Sequence, residues 1–391
     1  MKLNRRDFIQ TLSLMMASSS SFAMSSVDSK KLLVPSQYSG NAKKRFPNNF
    51  IYFDFKTLQE HAMEIPLAYS HSAFTLGNSR YCLVVEKDGP KGCLVDLKNK
   101  KVEKLLQATP KHVFSGHILI DETTSTLITT EFDYPTSNII VVRDLNSFEE
   151  KYRIQSPSIR PHEMKWLNSE RSQFAMGHYG KFSKTKKTDI EAEISVVDLK
   201  IKRITKRFRP IDKNSMTCHL DVVGPNKILT GTLSALTKSE DIEKRLIARL
   251  DSYDDSKMKP LNEKAFHKSF DLLSCPLYLV DIENNKVTDV TSPEIDNHLK
   301  WNLTVKTDPE SSTIAVTHVY GGHVSFWDAN SMKLKTKVRI NFPTGVYLHE
   351  NNWLVLGENG QLLFIDKNTL KVSKSRKFEN FIGAASHLEI V

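Results

Sequence analysis

The sequence predicts an all-β protein, a seven-bladed β-propeller closed by the C-terminal strand pairing into the N-terminal blade. Three observations predict it. Seven times in 391 residues a short apolar run ends in an Asp. Each Asp opens a polar turn that leads into a second, basic-rich strand. The runs are Ile51-Tyr52-Phe53-Asp54, Cys93-Leu94-Val95-Asp96, Val141-Val142-Arg143-Asp144, Ser195-Val196-Val197-Asp198, Tyr278-Leu279-Val280-Asp281, Ser325-Phe326-Trp327-Asp328 and Leu363-Phe364-Ile365-Asp366. Successive Asp residues lie 42, 48, 54, 83, 47 and 38 positions apart, and periods in the forties match one four-stranded blade of a WD40- or YVTN-like repeat.

The first element is a separate segment. Asn4-Arg5-Arg6-Asp7-Phe8-Ile9 resembles a twin-arginine export signal, followed by a mildly apolar stretch from Thr11 to Phe22 and the small-x-small pattern Ser21-Phe22-Ala23. Residues 1–23 are therefore expected to be a signal peptide handled by the twin-arginine export machinery, and residues 24–48 a linker. The stretch is too short and Ser-rich for a stable membrane span. With no Cys near the cleavage point, a lipoprotein is not expected. Export places the mature protein in the bacterial periplasm and excludes cytoplasmic nucleic-acid roles. It also leaves a net charge of +8, against +10 for the whole chain.

Residues 49–391 are expected to form the propeller, as a monomer. The Asp turns, among them Asp144-Leu145-Asn146-Ser147, Asp328-Ala329-Asn330-Ser331 and Asp366-Lys367-Asn368-Thr369, have hairpin chemistry and join the third and fourth strands of each blade. The first copy lacks two preceding strands, and the chain ends in the strand-like His387-Leu388-Glu389-Ile390. Pairing of the two ends would cover both open edges. Lys200 to Arg209 alternates basic with apolar residues. It fits a solvated edge strand, or a surface for an acidic partner or anionic lipid. The long fourth interval holds an insertion at about 238–270, where Ile242, Leu246 and Leu250 fall at helical spacing; it suits a lid or a surface decoration. The basic run from Gly180 to Lys187 reads as a solvated loop. Cys82, Cys93, Cys218 and Cys275 are expected to be buried thiols, since a chain of this length needs no disulfide.

Counting back from each Asp places an inner strand at Ser72-Ala73-Phe74, Ile118-Leu119-Ile120, Glu163-Met164-Lys165-Trp166, Leu220-Asp221-Val222-Val223, Asn302-Leu303-Thr304-Val305, Val346-Tyr347-Leu348 and Leu388-Glu389-Ile390. His71, His117, His162, His219 and His387 stand at the start of five of the seven, in a chain of 13 His. Strand starts at a channel mouth would bring the imidazoles together, and neutral imidazole ligates first-row transition metals. Glu131, Asp133, Glu163 and Asp221 are the neighbouring carboxylates. Two other readings fit the same positions. In one, each His is a local hydrogen-bonding group between blades; in the other, the ring receives an organic anion or small molecule.

Phe114-Ser115-Gly116-His117, Thr130-Glu131-Phe132-Asp133-Tyr134, Arg160-Pro161-His162-Glu163 and the segment from Gly321 to Asp328 resemble, in this order, an uncharacterised bacterial family. Its members are twin-arginine-exported, propeller-like periplasmic proteins with a domain of unknown function. The resemblance runs from about Ser70 to the end of the chain. It implies a periplasmic propeller and, because such proteins are often encoded beside periplasmic iron-uptake proteins, a role in iron or copper handling with metal-uptake proteins as partners. Matched motif by motif, His117, Glu131, Asp133, His162 and Glu163 are the implied functional positions, with His219 a looser match. The chain departs from the family in having few Asp-Gly turns, with Thr123-Thr124, Ser169-Glu170 and Glu310-Ser311 in their place.

No nucleophile elbow and no phosphate-cradling Gly loop is present. Cys218 and His219, as strand neighbours, point to opposite faces. The expected function is a periplasmic binding protein that holds a transition metal or metal complex, iron or copper, at a His-rich channel mouth. The alternatives are a redox or hydrolytic enzyme that uses the same site, and an interaction scaffold whose histidines are structural.

Overall fold

The computed structural model describes residues 30–35, 49–55, 57, 59–67, 70–77, 80–133, 137–180, 192–213, 215–234, 275–295, 299–378 and 387–390. The expected signal peptide, the helical insertion and the loop after Gly180 lie outside the described residues. Among the described residues the chain forms only β-strands and turns. The first strands are β1 (Lys31–Pro35), β2 (Asn49–Asp54) and β3 (Gln59–Glu64). A group of four follows: β4 (Ser70–Leu76), β5 (Tyr81–Gly89), β6 (Lys91–Asp96) and β7 (Lys101–Gln107). The next is β8 (Val113–Asp121), β9 (Thr126–Asp133), β10 (Ser137–Asp144) and β11 (Glu150–Gln155). Then come β12 (Pro161–Trp166), β13 (Gln173–His178), β14 (Ile194–Asp198) and β15 (Arg203–Phe208). They are followed by β16 (Ser215–Gly224), β17 (Lys227–Ser234), β18 (Leu277–Asp281) and β19 (Lys286–Asp289). The last groups are β20 (Asn302–Asp308), β21 (Thr313–His318), β22 (His323–Asp328) and β23 (Leu334–Arg339), and β24 (Pro343–His349), β25 (Asn352–Gly357), β26 (Gln361–Asp366) and β27 (Val372–Lys377). A short β28 (Glu389–Ile390) ends the series.

These strands build five sheets. Three have four strands, in the orders β28-β1-β2-β3, β20-β21-β22-β23 and β24-β25-β26-β27. Two have eight: β11-β10-β9-β8-β5-β6-β7 with β4 added on β5, and β15-β14-β13-β16-β17-β18-β19 with β12 added on β13. The fold is all-β, but the expected closed seven-bladed propeller of WD40- or YVTN-like blades is corrected to this arrangement of open sheets. The physical reason is backbone bonding between neighbouring repeats. The nine-residue β5 reaches past its own group, and Lys87 and Gly89 pair with Ser115 and Phe114 of β8. His178 of β13 likewise pairs with Thr217 of β16. A sequence repeat counts strands and turns and carries no sign of such bonds.

β1 falls inside the stretch read as linker, so ordered chain begins before residue 49. It pairs antiparallel with β2 and with β28, the latter through Leu32 with Ile390 and Leu33 with Glu389. The basic β15 is an edge strand, where exposed Lys and Arg discourage further strand pairing. Apolar residues pack between neighbouring sheets. Leu32, Val34, Ile51 and Phe53 of the first sheet, for example, meet Leu354, Leu356 and Leu362 of the last.

Each recurrent Asp closes its strand: β2, β6, β10, β14, β18, β22 and β26 all end on one. Its carboxylate then accepts hydrogen bonds from the backbone of the turn, which is why Asp is used there. Asp144 Oδ1 accepts from the Asn146 and Ser147 amides at 3.0 and 2.9 Å, Asp328 from Asn330 and Ser331 at 3.2 and 2.8 Å, and Asp366 from Asn368 and Thr369 at 3.1 and 2.7 Å. Four residues after six of the Asp, the chain takes a left-handed conformation at Lys100, Phe148, Lys202, Asn285, Met332 and Leu370, with φ between 52° and 62°. The Asp bonds hold the turn in this form without the glycine that the left-handed region favours.

These bonds shift the acids. The Ser147 amide first, and then the Asn146 amide and Lys151, hold Asp144 below the usual carboxylate range. Asp328 and Asp366 are lowered chiefly by the Ser331 and Thr369 amides. A depressed folded pKa stabilises the protein above the unfolded value of about 3.9 and loses that contribution as pH falls through the folded value. Asp144→Asn is therefore expected to lower stability by about 1 kcal/mol at pH 7, allowing for the solvent that still reaches the carboxylate. Urea unfolding of wild type and variant should show the difference shrinking from about pH 4 downward.

Candidate metal centre

The inner strands β4, β8, β12 and β16 each pair with the strand that follows, and in each the register breaks at the histidine or directly before it. The shifts lie between Ser70 and Ser72, Phe114 and Ile118, Pro161 and Met164, and Thr217 and His219. Such an irregularity releases a residue from the ladder and re-aims its side chain. His71, His117 and His162 are residues so released, His219 follows the break in β16 and pairs with Gly231, and His387 lies two residues before β28. β20 and β24 break register at the equivalent places, after Asn302 and Pro343, but carry no His there.

The approach is close enough to dictate a glycine. Gly116 has φ +102°, and a Cβ added to it would lie 2.3 Å from His71 Cδ2. Ser72 Oγ donates to the Gly116 carbonyl, fixing β4 against β8 at this point.

The five rings form one cluster. Ring centroids are 4.2 Å apart for His117 and His387, 4.3 Å for His117 and His162, and 5.1 to 5.3 Å from His71 to His117, His162 and His387. His219 stands beside them, 4.9 Å from His162 and 5.3 Å from His387. One ligand nitrogen from each of His71, His117, His162 and His387 lies within 4.8 Å of the others. Zinc–imidazole bonds of about 2.1 Å would put opposite donors at most about 4.2 Å apart, so closing on an ion needs movements of a few tenths of an ångström per ring.

The donor chemistry fits a metal. Burial, reinforced by neighbouring Lys and His charges, holds His71, His117, His162 and His387 well below the ordinary imidazole value, so they are neutral at pH 7. Nε2 of His117 and of His387 and both ring nitrogens of His219 are enclosed without a hydrogen-bond partner. His387 retains some exposure as a residue, but its Nε2 does not. An unmatched buried polar atom costs roughly 1–3 kcal/mol, and native interiors hold few of them.

His162 is oriented for ligation. Its Nδ1–H donates to the Ser115 carbonyl at 3.0 Å, which fixes the tautomer and leaves Nε2 with its lone pair. Tyr179 donates its hydroxyl proton to that nitrogen at 3.2 Å, and Lys87 Nζ donates to the Tyr179 oxygen at 3.0 Å. Glu163, on β12, supports His219. Its Oε2 accepts from the Leu220 amide at 3.0 Å and lies 3.5 Å from His219 Nδ1, too far for a hydrogen bond, while Oε1 pairs with Lys165 at 2.8 Å. Burial works to raise this carboxyl, but Lys165 and His219 outweigh it and hold it ionised. A cavity of about 240 Å³ reaches His117, His387, Glu163 and Lys165, and runs on past Lys306 and Tyr347.

The other expected carboxylates are elsewhere. Glu131 is buried and committed to Arg143 Nη2 at 2.5 Å, the Thr109 amide at 2.7 Å and Thr129 Oγ1 at 2.8 Å; it anchors β9. Asp133 ends β9 opposite Ser137, and Asp221 accepts from the Thr307 amide at 2.7 Å to join β16 to β20. Neither belongs to the group of converging ligand atoms. Locally bonded histidines do occur, on different strands. His318 Nδ1 lies 2.6 Å from Asn302 Oδ1 and its Nε2 2.6 Å from Ser325 Oγ, and His178 Nε2 lies 2.7 Å from Ser195 Oγ.

Tyr179 and Lys87 were not anticipated from the sequence. A Lys two residues after the apolar run of β5 and a Tyr directly after β13 were the available signals. The four cysteines are buried free thiols, and burial pushes Cys93 and Cys218 up to about 12. Among the described residues no helix is long and apolar enough to cross a membrane.

A family model described as "Protein of unknown function (DUF1513)" matches residues 70–304, which include four of the five histidines. No curated protein matches the chain. Among solved structures, a chain of Kuenenia stuttgartiensis hydrazine synthase is similar with a TM-score of 0.60 at 10% identity, covering 92% of this chain and 99% of that one. At that identity the likeness is one of fold. With 1549 solved chains matching, the fold alone points to no activity.

Gly116→Ala is expected to cost roughly 2 kcal/mol or more, from the φ strain and from displacing His71. Gly322→Ala, with φ +67° but its nearest neighbour 4.0 Å from the added Cβ, should bear only the backbone part, about 1 kcal/mol. Urea unfolding of the two variants checks the difference.

Proposed function

Because the chain belongs to the DUF1513 family of proteins of unknown function, we propose that its activity resides in the buried histidine cluster, as a periplasmic protein that holds a first-row transition metal. The observation that carries this reading is the convergence of four neutral imidazoles, with ligand nitrogens within 4.8 Å and several of the cluster's ring nitrogens unmatched. Imidazole suits copper, iron, zinc and nickel, and copper or iron is the proposed cargo. Copper binds most tightly among the divalent ions by the general affinity order.

Periplasmic location is part of the proposal and rests on the Asn4-Arg5-Arg6-Asp7-Phe8-Ile9 segment with its apolar stretch and cleavage pattern. Metal-uptake proteins of that compartment are the proposed partners. A redox or hydrolytic enzyme at the same site is a second reading, supported by the cavity that reaches His117 and His387, since a catalytic metal keeps an open position.

Elemental analysis of untagged protein, beside a His117→Ala/His162→Ala variant, tests the site. Near-stoichiometric copper or iron in the wild type, lost in a variant with unchanged far-UV circular dichroism, is expected. Folded protein that takes up neither ion on reconstitution would sink the reading. For export, Arg5→Lys/Arg6→Lys should leave the protein in the cytoplasmic fraction, and continued appearance in the periplasm would exclude the twin-arginine route.

A further inference from the structure

Four imidazoles bring no negative charge to the site, yet a cation is already there. Lys87 points its ammonium at the Tyr179 oxygen, 3.0 Å away, and sits 5.2 Å from the centre of that ring. Arg160 lies 5.3 Å from the same ring centre. A metal dication placed beside Lys87 would be repelled across a poorly screened distance. Glu163, the nearest carboxylate, is neutralised by Lys165 and turned to His219. Tyr179 is the other group at the cluster with a proton to release.

Its position fits that use. Tyr179 is 7% exposed, its ring centroid is 4.7 Å from that of His162, and its oxygen is 3.2 Å from His162 Nε2. Adjacent donors on a five-coordinate ion with bonds of about 2.0 Å stand about 2.8 to 3.5 Å apart, so the hydroxyl already lies at a ligand-to-ligand distance from His162. Once Nε2 coordinates a metal it no longer accepts the phenol proton. Loss of that proton lets the oxygen join the ion from its present distance.

We propose that Tyr179 is the anionic fifth ligand of the ion held by His71, His117, His162 and His387, with Lys87 donating a hydrogen bond to the phenolate. As the oxygen–metal bond forms, the phenol proton leaves to solvent and Lys87 keeps its own protons. A phenolate is a hard donor, so the site selects cupric or ferric ion over cuprous. This rests on the reading of the cluster as a metal site.

The test is the visible spectrum of protein reconstituted with Cu(II) or, separately, Fe(III), with bound metal counted by elemental analysis. Wild type should bind one ion and show a phenolate-to-metal charge-transfer band. Tyr179→Phe should retain the ion on its histidines and lose the band. Lys87→Met should keep the band but move it to lower energy, because an unbonded phenolate gives up its electron more readily. Bound metal without a band in wild type, or a band unchanged in Tyr179→Phe, overturns the ligand assignment and leaves the histidine site standing. Folded wild-type protein that binds neither ion overturns both.

Discussion

The structure turns on a break in pairing register at the head of its inner strands. An unbroken ladder sends successive side chains alternately to the two faces of a sheet, whereas a break in register re-aims the residues it releases. Breaks in β4, β8 and β12 release His71, His117 and His162 from the ladder, and the break in β16 falls directly before His219. Side chains then lock the inner strands side by side: Ser72 to the Gly116 carbonyl, His162 to the Ser115 carbonyl, the Leu220 amide to Glu163, and the Thr307 amide to Asp221. The rings are held by the same contacts that hold the strands.

That arrangement is costly for a protein with nothing to bind. Packing five imidazoles at van der Waals distance suppresses their charge, strands several of their nitrogens without partners and places Lys87 and Lys165 against them. Ordinary structural histidines in the same chain, His178 and His318, each find a hydroxyl and lie well within the hydrogen-bonding range. His178 still keeps one enclosed nitrogen, Nδ1, without a partner, whereas the cluster gathers four such nitrogens, on His117, His219 and His387, at one place.

Much of this was legible in the residues. The Asp-ended strands were read correctly because their determinant is local: one carboxylate satisfying amides two and three residues on. The five histidines were found because they hold one equivalent position relative to those strands. The sheets were not, because the bonds from Lys87 and Gly89 to β8 and from His178 to Thr217 depend on how neighbouring repeats are set against each other. Glu131 shows the complementary failure. It lies in a motif beside the histidines in sequence, but its carboxylate is taken up by Arg143 and a backbone amide. Tyr179 arrives by the opposite route, from the end of a second strand that carried no repeat signal.

The pairing of β28 with β1 has a consequence for assembly. Three sheets contribute to the cluster: β4 and β8 belong to one, β12 and β16 to another, and His387 lies just before β28, which pairs with β1 in a third. His71 and His387 are separated by most of the chain, so the donor set does not exist until the ends have met. An ion captured there would act as a clasp across a seam whose backbone pairing, among the described residues, is two residue pairs long. Loading would then report that folding is complete, and a nascent chain, however rich in histidine, would have no equivalent place to hold the metal.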